Sequence, residues 1–95
     1  MIVSSGAVCQ QYEVIGLVVG FASVSEGCDG GIKVEETYRI ALKRMTESAA
    51  AQGADGLIYV NFQNRVAVKA GCAGTAQAFE VFAWGTAIKL EGTAS

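Results

Sequence analysis

The sequence predicts a two-layer α+β domain of order β-β-α-β-β, with one helix packed across an antiparallel sheet. Three observations predict it. From Lys33 to Gln52, the residues Val34, Tyr38, Ala41, Leu42, Met45 and Ala49 recur at helical spacing on one face. Gly53 then offers a left-handed helix stop without steric cost. Almost at once Ile58, Val60 and Phe62 alternate with Tyr59, Asn61 and Gln63, the period of a half-buried strand.

Taken in order, Met1–Val3 is a short strand candidate and Ser4–Gln11 is mixed and turn-like. Glu13–Val24 is the second strand. Ile15, Leu17, Val19 and Phe21 fall on one face, and Val14, Gly16, Val18, Gly20 and Ala22 on the other. Both faces are apolar, so this strand is expected to be covered on both sides. The small residues on the second face permit close approach by another backbone. Ser25–Gly31 is the main loop, rich in glycine. On the helix, Glu35–Arg39 and Lys43–Glu47 are i,i+4 pairs of opposite charge. Ile40 lies off the apolar stripe and is a candidate contact between subunits.

The third strand runs from about Leu57 to Val68. Its apolar face is Ile58, Val60, Phe62, Val66 and Val68; its polar face is Tyr59, Asn61, Gln63, Arg65 and Lys69. Ala70–Thr75 reads as a hairpin loop. In the fourth strand, about Gln77 to Leu90, Phe79, Val81 and Ala83 share one face and Glu80, Phe82 and Trp84 the other. Gly85 in mid-strand signals a bulge or a close approach.

A chain of 95 residues makes one domain, residues 1–95. It is 52% apolar and 17% charged, more hydrophobic than an average soluble chain. A domain this small has too little interior for so much apolar side chain, so part should lie against other copies of itself. The net charge is −2, and four of the seven basic residues lie in or beside the helix among Glu35, Glu36 and Glu47. That is a solvated mixed-charge face and speaks against nucleic acid. Val14–Val24, the longest apolar stretch, is about half of the ~20 residues a membrane span needs. No basic segment precedes an apolar run at the N-terminus, so the expected location is the cytoplasm.

Gly53-Ala-Asp-Gly-Leu-Ile-Tyr-Val-Asn-Phe62 and Phe79-Glu-Val-Phe-Ala-Trp-Gly-Thr-Ala-Ile88 together resemble the YbjQ-like family, a group labelled heavy-metal-binding. Val14-Ile-Gly-Leu-Val-Val-Gly20 is similar to the first long strand of that family, and the resemblance covers nearly the whole chain. It implies a dodecin-subunit-like fold assembled as a ring, usually a homopentamer. It carries over no catalytic residues and leaves any cofactor unknown. The family often has a longer polar segment between second strand and helix, shortened here to Ser25–Ile32.

Three cysteines, Cys9, Cys28 and Cys72, are widely spaced, and the chain has no histidine. They form no disulfide framework and no tetrahedral site within one chain. Cys28, beside Asp29, and Cys72 are the metal candidates, since a symmetry axis would gather copies of one thiolate. The alternative is that all three are incidental small thiols. Tyr59, Asn61, Gln63 and Arg65 are the small-ligand candidates, a polar row that could equally be a solvated face. Glu80 beside Phe82 and Trp84 is either an acid–base group or half of an ion pair. Trp84 either stacks on a ligand or packs in a core or interface. No nucleophile–base pair and no standard catalytic motif occurs. The expectation is therefore a non-catalytic homo-oligomeric ring with a small ligand or metal ion at subunit interfaces. A ligand-free scaffold, or an enzyme with a shared site, are the other readings.

Overall fold

The computed structural model describes residues 1–25, 33–71 and 74–91, with 69–71 and 74–76 described by backbone alone. Its elements are β1 (Ile2–Val3), β2 (Tyr12–Ser25), α1 (Val34–Ala51), β3 (Gly56–Gly71) and β4 (Gly74–Leu90). The sheet order is β1-β3-β4-β2. β4 runs antiparallel to both β2 and β3, while the two-residue β1 adds to β3 in parallel. The sheet is thus mixed at one edge, and the order β-β-α-β-β is as predicted.

Helix α1 ends in two hydrogen bonds that satisfy its last carbonyls. The Gly53 N–H donates to the Ala50 carbonyl at 3.0 Å and the Ala54 N–H to the Ala49 carbonyl at 3.1 Å. Gly53 has φ 81°, the left-handed value this closure requires. The chain then enters β3 through Asp55. Its N–H donates to the Ile88 carbonyl at 2.8 Å, and its carboxylate accepts the Leu90 N–H at 2.9 Å. One short motif therefore stops the helix and locks the start of β3 to the end of β4.

The helix lies on the face carrying Val18, Gly20 and Ala22 of β2 and Phe79, Val81, Ala83 and Ala87 of β4. Gly20 sits so close beneath it that a Cβ there would overlap the Ala41 carbonyl oxygen and stand 2.8 Å from the Met45 nitrogen. Thr37, Ala41, Met45 and Ala49 are the buried residues of the helix. Thr37 was not in the predicted stripe; it is tolerated because its hydroxyl donates to the Lys33 carbonyl. Ile40, predicted as an outward contact, is partly buried against this core. Glu35 and Arg39 form an ion pair at 2.8 Å, whereas none joins Lys43 to Glu47.

Two bulges break the predicted alternation. In β2 the register slips between Val14 and Gly16. Ile15 consequently packs with the helix-side core, and Val14 is 58% exposed. In β3 the register slips between Ile58 and Asn61, so Ile58, opposite Thr86, and Val60, packed on Gly85, lie on opposite faces. The mid-strand glycine is the close approach: a Cβ at Gly85 would stand 3.1 Å from a Val60 methyl. At the other end, β3 and β4 stay paired to Gly71↔Gly74, so the hairpin connection is shorter than Ala70–Thr75. An 18-residue helix covers only about 27 Å. The 17-residue β4 extends for roughly 57 Å. Among the described residues, the distal half of the hairpin therefore has no helix over it.

Candidate functional site

On the sheet face opposite the helix, register alone assembles three cross-strand rows. Ser23, Glu80 and Arg65 form the first, Phe21, Phe82 and Gln63 the second, and Val19, Trp84 and Asn61 the third. Nothing among the described residues covers this face where it is apolar. Leu17 is 70% exposed and Val19 63%, and Phe21, Phe82 and Trp84 are each exposed by more than a third. Together they form a contiguous exposed apolar patch of the kind that marks an interaction or binding surface.

The Phe21 and Phe82 rings stack with centroids 4.8 Å apart. Beside them a cleft of about 460 Å³ is lined by Leu17, Val19, Phe82 and Trp84, with Gln63 as its polar margin. A smaller recess of about 190 Å³ adjoins it among Gln63, Asn64, Arg65 and Phe82. The cleft is of ligand size but open on one side.

At the end of the apolar patch, Glu80 is buried, its side chain 8% exposed, and both of its oxygens have partners. The Arg65 Nε donates to one at 2.5 Å, and the Ser23 hydroxyl donates to the other at 3.3 Å. The Arg65 guanidinium also lies over the Phe82 ring, 5.5 Å from its centroid. This answers the question left open for Glu80: it forms the ion pair, with a partner on each carboxylate oxygen.

Of the predicted ligand row, the structure brings Asn61, Gln63 and Arg65 together on this open face. Tyr59 stands apart, in the bulge, at φ 52°. Its N–H donates to the Gly6 carbonyl and its carbonyl accepts the Asn61 side-chain amide at 3.2 Å. Asn64 belongs to the helix side, where its amide donates to the Tyr38 hydroxyl at 2.6 Å. Sequence reasoning missed Leu17, Val19, Phe21 and Ser23 as neighbours of that row. The signal was the large apolar set on one face of β2, but pairing order decides what lies beside it.

The metal candidates Cys28, Asp29 and Cys72, like most of the Ser25–Gly31 loop, lie outside the described residues. Cys9 is described and exposed. Among the described residues, no three Cys, Asp or Glu side chains come together as a metal-holding group. No helix among them is long and apolar enough to cross a membrane.

A family model described as "Putative heavy-metal-binding", YbjQ_1, matches residues 1–91. Among solved structures, the chain is similar to a Pediococcus pentosaceus protein of unknown function from the DUF74 family. The two share 15% identity over 96% of this chain and 98% of that one, with a TM-score of 0.78. At that identity the likeness speaks for the fold alone. No curated protein matches.

Proposed function

Because the chain belongs to the YbjQ-type family, we propose that it is a non-catalytic, ring-forming domain that holds a small ligand between its own copies. The observation that carries this reading is the uncovered sheet face, where an apolar cleft of ligand size adjoins Gln63 and Arg65. One subunit leaves that cleft open. A second copy laid against it would close it and bury the apolar patch, and a closed cyclic assembly leaves no such patch over. The ring size proposed is the pentamer that the family resemblance implies.

The family label raises a heavy metal ion. The described residues of a single copy do not fit one, because they bring no three suitable donors together and the chain has no histidine. A metal would need thiolates contributed by several copies, with Cys28 and Cys72 as the donors. A small organic ligand on the open face agrees better with the lining. Catalysis has no support in the site: Glu80, the one buried carboxylate among the described residues, is paired on both oxygens.

Native mass spectrometry of untreated protein tests the reading, since it reports assembly size and bound mass together. A ring with a co-purifying species, lost on Gln63→Ala or Asn61→Ala while the ring persists, is the expected outcome. A ring that carries nothing would favour the scaffold reading. A monomer at micromolar concentration would overturn both.

A further inference from the structure

β2 is an edge strand of 14 residues, with Glu13 its only charged residue and no proline. Natural sheets seldom leave such an edge bare, because its free N–H and C=O groups template another strand. Which groups are free follows from one contact. The Phe21 carbonyl accepts a hydrogen bond from Arg44 at 2.7 Å, so it points away from β4. In an antiparallel ladder a residue directs both its N–H and C=O to the same side, and alternate residues agree. Leu17 and Val19 therefore also present their backbone outward. Arg44 blocks the edge at Phe21, which leaves Gly16–Gly20 as the available stretch among the described residues.

The opposite margin of the sheet is open as well. Ser4 and Gly6 accept the Val60 and Tyr59 N–H groups, and among the described residues the cover ends there. The same alternation, carried across β4, turns the backbone of Phe62, Asn64, Val66 and Val68 outward from β3. Val66 is 49% and Val68 71% exposed, on the helix-side face beyond the reach of the helix, whereas Leu17 and Val19 lie on the open face.

We infer that the copies join edge to edge: the outer edge of β2 in one copy pairs with the free outer edge of β3 in the next, making one sheet continuous through the assembly. This rests on the self-association proposed above and adds a backbone contact at the subunit edges to the covering of the open face. Joining unlike edges is a head-to-tail contact, which closes into a ring and uses up both margins. Pairing β2 with a second β2 would stop at two copies and leave both β3 edges bare.

The test uses the intact chain. Val19→Pro and Val66→Pro each delete an outward N–H at an edge position, where proline is tolerated within the subunit fold. Each is expected to convert the assembly to folded monomers, whereas Val19→Ala, which keeps the N–H, leaves it assembled. In the wild-type assembly the Leu17, Val19, Val66 and Val68 amides should exchange slower by on the order of 100-fold than in dissociated monomer, as ladder amides do. The exchange measurement stands even if a proline variant fails to fold. An assembly that survives both prolines, or those amides exchanging freely within it, overturns edge pairing and leaves self-association standing. Loss of assembly with Val19→Pro alone, with free exchange at Val66, points to β2–β2 pairing and also overturns the proposal. A wild-type monomer removes this inference together with the reading beneath it.

Discussion

The two faces of β2 are both apolar, yet they are built to different rules. Toward the helix stand Val18, Gly20 and Ala22, all buried; toward the open side stand Leu17, Val19 and Phe21, all exposed. The helix side uses small residues because a helix backbone comes down almost onto the strand, and only a glycine fits under Ala41 and Met45. The open side uses large ones, which no described element of the same subunit covers. Small apolar residues mark a contact already made within the chain, whereas large ones mark a contact reserved for something else. Hydrophobicity alone does not separate the two; side-chain size does.

Substitutions on the two faces should break this contrast if it is wrong. The largest loss is expected from Met45→Ala, which empties a fully buried site between helix and sheet. It should cost about 2–5 kcal/mol in urea unfolding. Gly20→Ala should cost about 1–3 kcal/mol, because the added methyl meets helix backbone that cannot rotate away. An unchanged midpoint for Gly20→Ala would mean that the helix does not sit where the small residues put it. Gly53→Ala should cost about 1 kcal/mol, since φ 81° strains any other L-residue. Its surroundings are open, so the penalty is conformational and not steric.

The smallest effect on folding belongs to the open face. Leu17→Ala should change the stability of a dissociated subunit by less than about 0.5 kcal/mol. It should nevertheless lower the midpoint of the assembled protein in a concentration-dependent way, because binding between copies adds to apparent stability. If Leu17→Ala destabilises the lone subunit as much as Met45→Ala does, the two faces are not different in kind.

Much of the architecture was legible in the chain. The helix was expected over Lys33–Gln52 and spans Val34–Ala51, because its stripe and its glycine stop are both local signals. The close approach at Gly20 and the packing at Gly85 were legible too, since a glycine within a strand has few other uses. The bulges at Ile15 and at Tyr59–Val60 were not. Each adds one residue to one strand of a pair, and a single strand read alone shows unbroken alternation on both sides. That is why Ile58 and Val60 were placed on one face, and why Tyr59 was placed with Asn61, Gln63 and Arg65.

The candidate site divides along the same line. Alternation along β3 and along β4 grouped Asn61, Gln63 and Arg65, and separately Glu80, Phe82 and Trp84, because a period of two is a property of one strand. That Arg65 meets Glu80, that Gln63 borders Phe82, and that Val19 lies beyond Trp84 depend on strand order and register. Those come from long-range pairing, to which residues far apart in sequence contribute together. Local periodicity thus sets the elements and their faces; only the assembled sheet decides which faces become neighbours.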